Sequence, residues 1–204
     1  MKRIVISIVA LIALAFPSLS HACGVIRWPV KVAQDKHVYF FYKDRDVATG
    51  ELVAPVATTI AKLSKKPWPF EWTVGQMPQK WSYTQRNGQA EFTLWQLTAT
   101  LVKKKNEDDL DYHLVIKSGT KQMIAEIPSE ACVAETPEPI KSMVIQARLD
   151  FDDWYDQQTN KQNLNAKVRL TGIGFFDRVH GNAEGQVQKN GIELHPVVKI
   201  EFLD

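Results

Sequence analysis

The sequence predicts a mainly β fold with one helix: a small OB-like antiparallel barrel of order β-β-β-α-β-β, preceded by an N-terminal arm. Three observations carry this. From Glu91 onward, apolar and polar residues alternate through several separate segments, the period of half-buried strands. One segment switches to the helical period, with Ile140, Met143, Val144, Ala147, Phe151 and Trp154 on a single face. The order of segments, three strands, a helix and two strands, is that of a five-stranded barrel plugged at one end by its helix. Closing the sheet also protects edges that strands this long would otherwise expose. The alternative is an open α+β sheet with the helix on one face.

Residues 23–90 read as the arm and a Pro/Trp-rich linker, and 91–204 as the barrel domain. In the arm, VYFFY (Val38 to Tyr42) predicts a strand and Thr58 to Leu63 a short helix. KKPWPFEWTVGQMPQKW, residues 65–81, holds three prolines and three tryptophans without a period. It reads as an extended linker that lays Trp68, Trp72 and Trp81 against the body. The barrel's first strand runs from Phe92 to Lys104, with Leu97, Ala99 and Leu101 on one face, and the polar NEDD run turns the chain. Asp111 to Lys117 and Gln122 to Ile127 follow, joined by Ser118-Gly119-Thr120. After the helix and the polar QTNKQN loop come Val168 to Phe176 and Gly191 to Phe202. The last strand sets Ile192, Leu194, Val198, Ile200 and Phe202 opposite Glu193, His195, Val197, Lys199 and Glu201.

Lys2 and Arg3, the apolar run from Ile4 to Phe16 and small Ala22 predict a signal peptide over residues 1–22, with an apolar run too short to span a bilayer as a helix. Cleavage after Ala22 places Cys23 at the new N-terminus, where lipidation is the alternative fate. The expected location is the periplasm or the extracellular space. Cys23 and Cys132 are the only cysteines, and in an exported chain an even count predicts a disulfide. So long a closed loop contributes about 4–5 kcal/mol in the chain-entropy model. No C-x-x-C partner accompanies either thiol, which argues against a cysteine zinc site. Lys2 and Arg3 account for the formal charge of +2, so the chain after residue 22 is neutral by count. Neutrality argues against a general nucleic-acid binder, whose affinity comes mainly from phosphate neutralisation. No second apolar segment is long enough to cross a membrane.

The phrases DYHLVI (111–116), MIAEIPSEAC (123–132), GIGFFDRVHG (172–181) and NGIELHPV (190–197), with CGVIRWPVK (23–31), resemble an uncharacterised family of secreted bacterial proteins. The resemblance spans most of the chain after residue 22. It implies relatedness and an OB-like architecture and names no reaction. Those proteins have a short HGQTG-type turn where this chain has HGNAEGQVQKNG.

The hairpin from Gly174 to Pro196 gathers Asp177, His180, Glu193 and His195, and His113 approaches if its strand is a neighbour. Zinc accepts imidazole and carboxylate ligands, and a three-ligand site with an open position can activate water. No H-E-x-x-H or H-x-H spacing supports this, and the plain alternative is turn chemistry. In that reading Asp177 and Asn190 cap the turn, and Gly181, Gly185 and Gly191 supply special backbone conformations. No serine lies in a G-x-S-x-G elbow, and a disulfide removes Cys132 as a nucleophile. Asp150, Asp152, Asp153 and Asp156 lack a calcium-loop pattern and read as a solvated face, while Lys103, Lys104 and Lys105 balance Glu107, Asp108 and Asp109 across one turn. Trp95 and Phe175 are the candidate ligand-stacking residues if the outer sheet face is free, as other OB folds use it. The competing reading is that the arm packs on that face and consumes them.

The function expected from the sequence is an exported binding module with no cofactor, its partner a protein, an envelope saccharide or, less in keeping with neutral charge, an oligonucleotide. The alternative is a metal-binding protein or metal-dependent hydrolase holding zinc or calcium in the 177–195 hairpin.

Overall fold

The alternating segments are strands in the computed structural model, which describes residues 23, 27–68, 86–179, 184–187 and 189–203. The expected signal peptide, Trp72, Trp81 and His180 lie outside these residues. In chain order the strands are β1 (Val56–Ala57), β2 (Leu94–Asn106), β3 (Tyr112–Ser118), β4 (Lys121–Ile127), β5 (Ala166–Phe176) and β6 (Ile192–Leu203). The helices are α1 (Trp28–Lys31), α2 (Ile60–Leu63) and the long α3 (Ile140–Asp156).

The predicted barrel is the fold. Pairing runs β2-β3-β4-β6-β5 and returns to β2, so the five long strands close on themselves. Every pair in the ring is antiparallel except β4 with β6, which meet in parallel at Ala125 and Leu194. The short β1 adds a parallel partner to Trp95 and Gln96 of β2. Five strands close only if they bend, and the register shifts between Leu101 and Lys103 and around Gly172 to Gly174 do the bending. Gly174 permits one close approach: a Cβ there would sit 2.3 Å from the Ala90 carbonyl oxygen. No other residue fits that position.

Alternation then fills the interior. Leu97 and Leu101, Leu114 and Ile116, Ala125 and Ile127, Leu170 and Leu194 are buried inside the ring. α3 closes one end with Ile140, Val144, Ala147 and Phe151, each apolar side chain worth about 1.5–3 kcal/mol when fully buried. Phe151 contacts the rings of Tyr112, Tyr155 and Phe202, and Trp154 stacks on Phe202 with centroids 4.3 Å apart. The Glu138 carboxylate starts the helix by accepting hydrogen bonds from the Ser142 amide and hydroxyl at 3.1 and 2.6 Å.

The arm shares this core: Val32, Phe41, Tyr42, Ile60 and Leu63 are buried in one cluster with the barrel residues. The strand expected at Val38 to Tyr42 is instead a 3-10 turn over Val38–Phe41. Asp35 accepts a hydrogen bond from the His37 amide (3.0 Å) and sets the turn. The turn also solves a packing problem, because adjacent residues of a strand point to opposite faces whereas Phe41 and Tyr42 both enter the core. α2 forms where expected, with the Thr59 hydroxyl accepting from the Lys62 amide as its N-cap. Trp68, in the linker, makes an edge-on contact to Phe176.

A covalent tie and a hydrogen-bonded one help to hold arm to barrel. Cys23 and Cys132 form the predicted disulfide, with Cα atoms 5.6 Å apart across 109 positions. At the base of the last hairpin, Asn190 donates to the carbonyls of Leu63 (3.1 Å) and Lys66 (2.9 Å) while its Oδ1 accepts from the Ile192 amide. Beside it Gly191, at φ 57°, allows the turn to pass against the Asp177 carbonyl. No helix of the described residues is long and apolar enough to cross a membrane.

Candidate functional site

The outward side of β3, β4 and β6 carries charge. His113 and Glu126 are direct cross-strand partners, and the parallel contact of Ala125 with Leu194 brings Glu193 and His195 beside Glu126. Phe175, opposite Glu193 on β5, extends the same face. Such a face would normally meet solvent, but α1 and the residue before it lie across it. The Arg27 guanidinium sits 4.6 Å and the Lys31 ammonium 5.8 Å from the centre of the Phe175 ring, and Arg27 donates to the Phe176 carbonyl at 3.0 Å. His195 is consequently 0 % exposed and Glu193 2 %.

Glu126 is the hub. Its Oε1 lies 3.0 Å from His113 Nδ1 and its Oε2 2.9 Å from His195 Nδ1. His195 Nδ1 is also 3.3 Å from Glu193 Oε1, and its Nε2 faces Asp111 Oδ2 at 3.5 Å. Asp111 Oδ1 accepts from the Ser129 amide at 2.9 Å, and Glu107 approaches His113 Nδ1 to 3.2 Å. Lys31 faces Glu126, Asp177, Glu193 and Asp109.

Burial works against every charge here, and the neighbours decide which survive. It opposes the Glu126 carboxylate, but His195 and Lys31 hold that carboxyl well below its usual range. It opposes the His195 cation, but Glu126 and Asp111 raise the imidazole well above its ordinary value. Burial likewise opposes charged Lys31 and His113, and the surrounding carboxylates raise both. For Glu193 burial wins, reinforced by the negative charge of Glu126, and its carboxyl is pushed up to about 8. At neutral pH the cluster therefore holds an ionised Glu126 between cations and a protonated Glu193. It can keep a proton out of water or hold a cation.

Two buried ion pairs flank it. Arg27 meets Glu91 through bonds of 2.6 and 2.5 Å, and Glu91 also accepts from the amides of Phe176 and Asn87. Arg86 meets Asp35 at 2.5 Å and donates to the Glu91 carbonyl.

Of the residues singled out in the sequence, His113, Glu193 and His195 come together, and Asp177 faces Lys31 and Glu193 from the hairpin. Sequence reasoning missed Glu126, Asp111 and Lys31. One signal for Glu126 was present: an acid inside the apolar strand MIAEI, set opposite a histidine. Five separate segments of the chain supply this site, with Arg27 and Lys31 from the first, then Asp111 and His113, Glu126, Phe175 and Asp177, and finally Glu193 and His195. Trp95 and Phe175 offer no free ring face. Trp95 is 6 % exposed with its indole N–H donated to the Ala90 carbonyl at 3.0 Å, and Phe175 is sealed beneath the arm.

Elsewhere the lysines depart from expectation. Lys103 and Lys105, two apart and so on one side of β2, both reach Glu184 (2.8 and 3.2 Å), whereas Lys104 lies 3.9 Å above the Tyr112 ring. Strand alternation, not sequence proximity to Glu107–Asp109, sets these partners. The acids of α3 are also separately engaged, Asp150 by Gln146, Asp152 by Tyr112 and Asp156 by Lys161. At the other ends of β3 and β5 lies an open groove of about 560 Å³ lined by Thr98, Thr100, Lys117, Ser118, Asn165 and Lys167. Thr100 pairs with Lys117 on one side and Lys167 on the other, so the two ammonium groups flank one hydroxyl in register.

No family model matches the chain, and no curated protein matches it. Among solved structures it is similar to a chain described as an aspartyl-tRNA synthetase from Leishmania major Friedlin, at 14 % identity and a TM-score of 0.39. The match covers 73 % of this chain and 21 % of the other, so the protein spans about a fifth of its length. A likeness that loose does not bear on what this chain binds.

Proposed function

We propose that the protein is an exported binding module whose own arm occupies the strand face of the barrel, and which recognises an acidic envelope saccharide in the groove across β2. The observation that carries this reading is the pair Lys117 and Lys167: among the described residues neither forms an ion pair, and they flank a strip of hydroxyl and amide groups. Ammonium groups beside Thr98, Thr100, Ser118 and Asn165 suit a carboxylated, polyhydroxylated chain. The disulfide supports an oxidising compartment. A hydrolase at the His195 cluster is disfavoured because the arm closes the path a substrate would need.

A protein partner is the second reading, favoured by Leu110 and Leu149, which are 56 % and 52 % exposed and are linked through Arg148, a donor to the Leu110 carbonyl. Calorimetric titration with uronic-acid oligosaccharides, their neutral counterparts and single-stranded oligonucleotides tests the saccharide reading. Binding of the acidic sugar alone, lost in a Lys117→Glu, Lys167→Glu double variant, is expected. Equal binding by that variant would sink the groove assignment.

A further inference from the structure

We propose that the cluster beneath the arm binds one zinc-class divalent cation through Asp111, Glu126 and His195. One candidate ligand atom from each of the three lies within 4.8 Å of the others. Two of the atoms point at each other with nothing else to do: Asp111 Oδ2 and His195 Nε2 are buried without a hydrogen-bond partner, 3.5 Å apart. Ligands about 2.1 Å from a tetrahedral ion stand about 3.4 Å from one another, so this spacing suits a shared metal better than a direct hydrogen bond.

The second layer of contacts agrees. His195 Nδ1 is held by Glu126 (2.9 Å) and Glu193 (3.3 Å), which leaves Nε2 as the ligand nitrogen. Orientation of one ring nitrogen by a carboxylate is how metal-binding histidines are generally fixed. Asp111 is fixed in the same way by the Ser129 amide on its other oxygen. Glu126 joins by exchanging its contact with His195 Nδ1 for the ion, which leaves that nitrogen to Glu193.

The acids Asp111, Glu126, Asp177 and Glu193 share this space with the imidazoles of His113 and His195 and the ammonium of Lys31. The Lys31 ammonium faces Glu126 from the arm and would repel a bound cation there, which makes Lys31 the competitor of a metal ion. One nitrogen and two carboxylate donors suit zinc and do not meet the six to eight oxygens that calcium takes. The cover of the arm makes the ion structural rather than catalytic. This inference is independent of the groove and survives or fails separately from it.

The test uses the oxidised chain from Cys23 onward, stripped with chelator. Zinc is supplied both to the folded protein and before oxidative refolding, and bound metal is counted by mass spectrometry after desalting. One equivalent with micromolar or tighter affinity is expected, weakened at least about tenfold in folded Asp111→Asn and tightened in Lys31→Met. Absence of zinc by both routes, unchanged affinity in Asp111→Asn, or no tightening in Lys31→Met would overturn the site. Should Asp111→Asn fail to fold, cobalt on the unaltered chain decides: intense visible bands of low-coordinate cobalt support the site, and a pale octahedral spectrum overturns it.

Discussion

Arg27 and Glu91 stand 64 positions apart in sequence and meet fully buried, with Glu91 accepting two further amide bonds. A buried pair adds little net stability when whole, but removing one partner strands the other charge at a cost of about 3–5 kcal/mol. Glu91→Gln should therefore lower the unfolding free energy by that much, read as a lower urea midpoint at unchanged slope, and the double change Arg27→Met, Glu91→Leu should cost less than Glu91→Gln alone. Tyr42 offers a pH test. Burial, aided by the charge of Glu138, raises its phenol from 10.0 to about 12, and its hydroxyl donates to the Glu138 carbonyl at 2.9 Å. A raised pKa favours the protonated form in the folded state, so this contribution is whole below pH 10.0 and is lost as pH climbs through about 12. Thermal melts of the native chain and Tyr42→Phe should converge across that window. A constant gap between the two would refute the assignment.

At the scale of elements, the deciding relation is between the arm and the face of β3, β4 and β6. β6 alternates cleanly in sequence, yet its residues from Ile192 to Val198 are all buried, because the barrel takes one side and the arm the other. The disulfide fastens the arm where α1 begins to cover the cluster. Its removal in a Cys23→Ser, Cys132→Ser variant should cost about 2–5 kcal/mol. Hydrogen exchange should then quicken first in residues 27–31 and in 192–195, while the amides of α3 and central β2 keep their protection. Uniform acceleration across the barrel would mean that the arm is no separable cover. The same relation explains the aromatics: Phe175 belongs to a face that other barrels leave free, and here it lies beneath Arg27.

For the whole molecule, strand period, helix period and their order were enough to predict a closed barrel with one helical plug, because alternation and the 3.6-residue repeat are local consequences of backbone geometry. The disulfide followed from a count of two cysteines. VYFFY failed as a strand because its shape was settled by two aromatic side chains entering one core, a condition no local pattern expresses. Half of the candidate site was legible: His113, Glu193 and His195 were marked by residue type and shared face. Glu126, the residue that joins them, was not, since its role depends on the parallel meeting of β4 with β6 from distant parts of the chain. The sequence by itself thus determined the elements, their order and the covalent tie. Only the tertiary structure decided that the arm would cover the strand face and gather charges from five separate segments, because long-range packing and desolvation act between residues that no sequence window contains.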